Sequence, residues 1–422
     1  RRFMYRSFSM LRKAIIPLGG LGTRLYPLTA DTSKAMIRFL NRPLIEWMIA
    51  SLARQGIREV YLAVSGFNNY IPLIDYMGGG ERIAFALRME PDIFRVRYQP
   101  NITSLGNAHA VKIVMEYYDI NEPVLVLQGD TVAKLDLLQI WVSHYEKAAF
   151  MSVGLKELEP WKDVSMYGVA DVDEEYHVRR FVEKPKTAPP SRLINTGIYV
   201  LSPQFMDFLK TSAGMHLLKT GQLDFGKHVI PTLVEHGYHV SGFLVKDYWF
   251  DIGTPETYLE AVFYVLRQLS LDDLGVTFSY KGVRMQGRTQ ESRRLHTELV
   301  QREKAGQIFF EGEILLGRHI SVGTGTKIIN SVIDHYTILD HDVTVENSVI
   351  MDRCVVGGRT VVKDSIIGRH VRIGENCEII GSILGNGAEV MNGVRIIGSK
   401  IWPHQKLSER TEIYNVVSQP PT

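Results

Sequence analysis

Cysteine is nearly absent. Cys354 and Cys377 are the only two in 422 residues, too few for a disulfide framework or, by themselves, a zinc site, and their scarcity fits a reducing, cytoplasmic setting. An excess of one charge is absent as well. Lys and Arg number 48 against 46 Asp and Glu, a formal net charge of +2. No long basic block invites nucleic acid, and no acidic tail points to a disordered arm. No apolar run reaches the length of a membrane helix, so no membrane partner is expected. The opening Arg1–Arg12 lacks a continuous apolar stretch and a small-residue cleavage site, so it does not read as a signal peptide, and Met10 has the look of a natural start. What remains is the composition of a globular protein, 45% hydrophobic and 22% charged. The chain is too long for one ordinary core, so two or three domains are expected.

The first half alternates apolar strands with amphipathic helices. Lys13–Leu18 is an apolar strand ending in a Gly-rich turn. Leu44–Gln55 has helical spacing and Gly56 ends it; Val60–Val64 is the next strand. Tyr70–Met77 and Ala108–Tyr118 read as helices, and Val124–Leu127 as a buried strand stopping at Gly129-Asp130. This alternation predicts an α/β fold, a Rossmann-like, mostly parallel sheet with helices on both faces. Such sheets bind ligands at the carboxyl ends of their strands, which here carry Gly19–Arg24 and Gly129–Thr131.

The last quarter follows a different rule, an apolar recurrence every seventeen positions. One column is Leu316, Ile333, Ile350, Ile367, Leu384 and Ile401; the others are Val322, Leu339, Val356, Ile373, Val390 and Ile328, Val345, Val362, Ile379, Ile396. Ser331, Ser348, Ser365, Ser382 and Ser399 keep the same step. Three inward residues per turn predict a triangular coil of short stacked strands, with the serines lining one corner. Leu316-Gly317, Val322-Gly323, Ile367-Gly368 and Ile373-Gly374 resemble hexapeptide-repeat proteins, a resemblance that implies a left-handed coil. Trp402-Pro403 stands where the columns end and reads as a cap. Three segments follow: 10–256, a helical and charged connector over 257–306, and a parallel β-helix over 307–410.

Gly19-Gly20-Leu21-Gly22-Thr23-Arg24 leaves the first strand directly. Glycines there let backbone N–H groups approach phosphate oxygens, and Arg24 adds a fork of donors. Leu25 stands where a dinucleotide fingerprint needs a glycine, and no Gly-Lys-Ser/Thr follows. The longer string Ile15–Thr29, then Lys34 and Pro43–Glu46, resembles the signature of nucleotide-sugar pyrophosphorylases. Leu127–Asp130, Tyr167–Val169, Phe181–Pro185, Asn195–Val200 and Trp249–Pro255 resemble later motifs of that family in the same order. The likeness spans roughly Lys13 to Val262 and makes 10–256 a nucleotidyltransferase catalytic domain; the coiled tail matches the two-domain members. One departure is Ser33-Lys34-Ala35 where the family has Pro-Lys-Pro. Pro17 resembles the UTP–glucose-1-phosphate uridylyltransferase branch.

The resemblance implies transfer of a nucleoside monophosphate from a nucleoside triphosphate to a sugar-1-phosphate, with release of pyrophosphate. The attacking phosphate is already an anion, so the work is positioning and charge neutralisation. Asp130 and Asp251 are the expected Mg²⁺ ligands. Arg24 and Lys34 are assigned the β and γ phosphates, with Gly20, Gly22 and Thr23 beside them, and Lys184 the sugar phosphate. Glu183, Asn195 and Thr196 would bond sugar hydroxyls, with backbone near Gly168. Leu18, Gly19, Gln99 and Gly106 would meet the base. An amide such as Gln99 can pair with the imide edge shared by uracil and thymine; the resemblance of Pro17 and Ala108–Val111 to the uridylyltransferase branch implies UTP, paired with glucose-1-phosphate, as the preferred pair. The alternatives are dTTP-glucose, GDP-mannose or ADP-glucose synthesis, or a non-catalytic nucleotide-sugar-binding regulatory subunit. His109 reads as a packed histidine. His319, His335, His341 and His370 raise a rival acyltransferase reading of the coil, against which a structural role in a homo-oligomer is preferred.

Overall fold

A computed structural model describes residues 10–100, 103–270 and 272–420, so the opening nine residues lie outside it. Its described residues separate into two compact units: 10–20 with Ile45–Asp251, and Leu21–Leu44 with those from 252 to 420.

The first unit is built on a nine-stranded sheet. Its strands are β1 (Lys13–Leu18), β2 (Glu59–Val64), β3 (Arg95–Tyr98), β4 (Val124–Leu127), β6 (Met151–Glu157), β7 (Gly168–Val172), β8 (Val178–Glu183), β9 (Leu193–Leu201) and β10 (Val240–Leu244). A separate antiparallel pair joins β5 (Thr131–Ala133) to β11 (Trp249–Asp251). The main path runs β8-β7-β9-β4-β1-β2-β3, with β6 against β9 and β10 beside β6. β4, β1, β2 and β3 are parallel; β9 runs against β4. Ala14, Ile15 and Ile16 are each 0% exposed, so both faces of β1 are covered, as a parallel strand requires. Ile15, Ala63 and Val126 share a core with Ala108, Val111, Val114 and Met115 of α2 (Asn107–Tyr117). The expected strands at Lys13–Leu18 and Val124–Leu127 and the helix α1 (Leu44–Arg54) form within a residue of their periodic patterns.

The second unit is dominated by a left-handed parallel β-helix. Its three sheets stack short parallel strands one turn apart, so that Val332 pairs with Val349, Ile338 with Val355 and Thr344 with Val361. The three aliphatic columns point inward, none more than 4% exposed. Three corners per turn hold left-handed backbone, as at Tyr336 (φ 59), Asp342 (φ 55) and Asn347 (φ 48). The serine column forms a ladder. Ser365 Oγ donates to the Lys363 carbonyl at 2.6 Å and accepts from the Ser382 amide at 3.1 Å, and the pattern repeats through Ser399. A corner hydroxyl thus satisfies two backbone groups that the turn leaves over. Cys354 and Cys377 fill the other corners, with burial pushing both thiols up.

The coil starts earlier and ends later than its columns imply. The hairpin of Val276–Tyr280 and Val283–Gln286 adds to the sheet beside Ile314–Leu316, and helix Gln290–Lys304 follows it. Residues 252–306 therefore belong to the same unit as the coil. Strands continue at Lys406–Leu407 and Glu412–Tyr414, so Trp402-Pro403 does not cap the stack. Trp402 packs its ring edge-on to Tyr26 instead, 5.4 Å between centroids.

Candidate active site

In the first unit, close backbone approach gathers the strand ends. The Gly129 amide donates to the Pro17 carbonyl at 3.1 Å, and a Cβ at Gly129 would strike the Leu18 side chain. This holds Leu18, buried, and Gly19, exposed, beside the turn that carries Asp130. Asp251 ends β11, whose register sets it opposite Thr131. Asp130 is therefore one residue from the position facing Asp251, although 121 residues (251 − 130) separate them in sequence. Both are half-buried. Two carboxylates on adjoining backbone are hard anionic oxygen donors, a donor set that suits a divalent cation with substrate phosphate completing its shell.

A second cluster forms around Glu183. β8 pairs antiparallel with β7, setting Glu183 opposite Gly168. A Cβ at Gly168 would lie 2.7 Å from Glu183 Oε2, and one at Gly226 would lie 2.9 Å from the same oxygen and 3.2 Å from Asn195 Nδ2. Both glycines thus leave room for the carboxylate. Among the described residues no donor hydrogen-bonds to the Glu183 carboxylate. Burial raises its pKa, the nearby Asp224 carboxylate adds to the rise, and Lys184 and Lys227 oppose it. A half-buried carboxylate with no protein donor is suited to accept from the hydroxyls of a ligand. Lys184 is exposed in left-handed backbone (φ 45), its amide donating to the Tyr167 carbonyl at 3.0 Å.

The neighbours are more committed. Asn195 donates to the Tyr199 hydroxyl at 2.9 Å and accepts from the Gly197 amide at 3.0 Å. Thr196 is 3% exposed and its hydroxyl donates to the Gly154 carbonyl at 2.7 Å, so this side chain is already used in packing β9 against β6. Gly106 opens α2 with φ 136, and a Cβ there would lie 2.6 Å from the Leu223 carbonyl. Asn107 accepts from the Phe225 amide at 2.8 Å, tying this loop to the segment that carries Gly226. Gln99 is 2% exposed, with Nε2 donating to the Thr103 carbonyl at 3.4 Å. His109 accepts from the Leu105 amide at 3.0 Å, and burial lowers its pKa; it serves the loop as a neutral acceptor.

The remaining signature residues, Leu21 to Lys34, belong to the second unit. Gly22 has φ 60 and its carbonyl accepts from the Thr29 hydroxyl at 2.7 Å, closing a loop that presents Arg24, exposed, on the turn Thr23–Leu25. Lys34 begins the turn Lys34–Met36, whose Ala35 amide donates to Ser33 Oγ at 3.3 Å.

Sequence reading missed Asp224, Gly226 and Gln128. Asp224 and Gly226 stand far from any quoted motif and reach Glu183 only through folding. Gln128 lies inside the Leu127–Asp130 motif; its Nε2 is buried with no acceptor among the described residues, a donor available beside Asp130. The coil histidines are corner residues. His335 accepts from the Arg318 amide at 2.8 Å and burial pushes it down to about 3, while His319 stacks on Tyr336 at 4.9 Å. Among the described residues one trio could hold a metal, Asp340, His341 and Glu375. Its members already pair with neighbours: Glu375 with Arg359 at 3.1 Å and His341 with Asp342 at 2.9 Å.

Glu183→Gln is expected to keep or raise the melting temperature while raising the KM of a hydroxyl-bearing ligand about tenfold, because it removes a poorly solvated charge and an acceptor oxygen together. For a carboxyl whose folded pKa is raised, the native state holds the extra proton, so wild-type stability falls as pH rises through that pKa. The variant should lose this slope. Thermal melts from pH 4 to 8 with parallel KM measurements check both halves.

Among relatives, the chain is 29% identical over 422 aligned positions to mannose-1-phosphate guanyltransferase of Pichia angusta, covering 96% of this chain and all of that one. It is 28% identical over 264 residues to the low-salt glycan biosynthesis nucleotidyltransferase Agl11 of Haloferax volcanii, 62% of this chain and 68% of that one. A solved Bacillus anthracis structure carrying the name glucose-1-phosphate thymidylyltransferase, in complex with sucrose, superposes with TM-score 0.50 at 23% identity. It covers 61% of this chain and 96% of that chain, a likeness of fold. Residues 310–417 match the model of the GMPPB C-terminal domain, and residues 13–268 match that of the nucleotidyl transferase family. The match over 13–268 takes in β1, Asp130, Glu183 and Asp251 and exceeds half the chain, and the protein therefore belongs to the nucleotidyl transferase family.

Proposed function

We propose that this nucleotidyltransferase joins GTP to mannose-1-phosphate, forming the nucleotide sugar and pyrophosphate. A phosphate oxygen of the sugar attacks the α-phosphorus of the nucleotide. The bond from that phosphorus to the β-phosphate oxygen breaks, and pyrophosphate leaves with the electron pair. Both reactants are anions at neutral pH, so the barrier lies in approach and in charge on the leaving group. Arg24 and Lys34 hold the β and γ phosphates, and Lys184 anchors the sugar phosphate. Glu183 accepts from sugar hydroxyls and Asn195 supports it. Asp130 and Asp251 would hold Mg²⁺, which when bound neutralises phosphate charge and aligns the nucleotide. The observation that carries the class of acceptor is Glu183, a half-buried carboxylate without a protein donor.

The donor base is argued from two sides. The alignment to the guanyltransferase runs through coil and catalytic region together, over 96% of this chain and all of that one. A second reading, UTP with glucose-1-phosphate, rests on Pro17 and Ala108–Val111 and needs Gln99 to read the base. The Gln99 amide is buried and its Nε2 donates within its own loop, which weakens that reading. Among the described residues no helix is long and apolar enough to cross a membrane. Pyrophosphate release with ATP, GTP, CTP, UTP and dTTP, each paired with mannose- and glucose-1-phosphate, is the test. Highest kcat/KM with GTP and mannose-1-phosphate is expected. A preference for UTP or dTTP would restore Gln99 to the base pocket.

A further inference from the structure

Within the second unit the phosphate-binding segment is fastened along the coil. Arg38 donates through Nε and Nη2 to the two oxygens of Asp334, at 2.8 and 3.0 Å, and Nη2 also reaches the Asn41 carbonyl at 2.6 Å. Asp334 is a coil corner residue whose side chain is 1% exposed. One turn on, Asp352, also 1% exposed, lies 3.7 Å from Arg38 Nε and is gripped by Arg369 at 2.6 and 3.0 Å. Asn41 is 2% exposed and donates to Gln286 at 2.9 Å and to the Ile333 carbonyl at 3.3 Å. Farther along the same corner, Asn386 donates to Asp31 at 3.1 Å, and Trp402 meets Tyr26.

The order of these contacts matters. Tyr26, Asp31 and Arg38 engage residues 402, 386 and 334, so the segment runs back along the stacked turns. Lys34 falls between the Asp31 and Arg38 anchors, and Arg24 precedes the Tyr26 anchor by two residues. Ser33 and Ala35 flank Lys34, and the anchors at Asp31 and Arg38 fix the loop on both sides of it.

We infer that the Arg38–Asp334 fork and Asn41 are positioning residues, by which the coil sets the geometry of Arg24 and Lys34 for the triphosphate. This rests on the nucleotidyl-transfer reading of those two cations. A bidentate guanidinium–carboxylate pair fixes orientation as well as distance, which a lysine ammonium cannot do. Breaking a buried pair by removing one partner also threatens the fold, because it strands the other charge.

The test uses the full chain with GTP, mannose-1-phosphate and Mg²⁺. The variants are Arg38→Lys, Asn41→Ala and the double change Arg38→Met with Asp334→Leu, which leaves neither charge of the fork stranded. Each should raise the GTP KM or lower kcat/KM for GTP about tenfold or more, with the mannose-1-phosphate KM within about twofold of wild type. Arg38→Lys should fall between wild type and the double variant. If the variants lose melting temperature but keep wild-type constants per folded molecule, the coil merely stabilises and the inference is overturned. Equal change in both KM values overturns it as well. A wild-type chain releasing no pyrophosphate with any substrate pair fails earlier: the transfer reading falls, and the positioning role falls with it.

Discussion

Asp130→Asn and Asp251→Asn are each expected to cut kcat by about a hundredfold or more while leaving the circular dichroism melt close to wild type. Asp251 ends β11 and Asp130 directly precedes β5, and the β5–β11 pairing brings the two side by side. An amide keeps the size of the side chain and one acceptor oxygen but loses the charge that holds a divalent cation against competing water. The fold should tolerate the change because both positions are half-buried rather than sealed in the core. Pyrophosphate release measured across a Mg²⁺ series separates the roles. A rate recovered at high Mg²⁺ means weakened binding of the metal, and a rate lost throughout means lost alignment. A near wild-type rate at ordinary Mg²⁺ removes that carboxylate from the mechanism.

Ending the chain after Gly312 should abolish activity, with kcat/KM down by about a thousandfold or more, and should leave the product prone to aggregate. From sequence the coil reads as a stacking and assembly module whose loss leaves a chain that still binds nucleotide but is less stable or altered in assembly. The structure changes that expectation. Removal takes away Asp334, the Ile333 carbonyl, Asn386 and Trp402, and with them the partners of Arg38, Asn41, Asp31 and Tyr26. It also uncovers Val283 and Met285, which are 1% exposed within the coil's core. Uncovering a buried aliphatic side chain costs roughly 1.5–3 kcal/mol, and two or three such losses are a large fraction of a domain's stability. Light scattering and the pyrophosphate assay on the truncated chain decide. A soluble product with wild-type constants would show that the signature segment keeps its shape without the coil.

Much of this protein is written locally. The run Lys13–Leu18 is apolar throughout and becomes a strand buried on both faces; Leu44–Arg54 has a helical apolar stripe and becomes a helix. The seventeen-residue step is an address repeated along the chain, and each column lands inside the coil because a strand residue one position off would face water. Five motifs in order were enough to place the chain in its family, since each is a short contiguous string whose meaning survives without knowledge of its neighbours.

Other features depend on partners that sequence does not rank. Periodicity says that a segment buries a face, and says nothing of what covers it. Arg38 finds Asp334 across 296 residues, so the segment Leu21–Leu44, read as part of the catalytic half, folds with the coil. Thr196 matched a sugar-binding motif, yet its hydroxyl is taken up by the Gly154 carbonyl. From its motif Glu183 is expected to bond sugar hydroxyls, but the motif says nothing of what surrounds the carboxylate. Burial against Gly168 and Gly226, with Asp224 nearby, turned it into a carboxylate lacking a donor. A polar side chain takes its role from whichever groups satisfy it at close range, and those groups come together only when distant strands pack. Sequence alone therefore determined the elements, the repeat and the family, while tertiary structure decided which charged and hydroxyl groups remained available for a ligand.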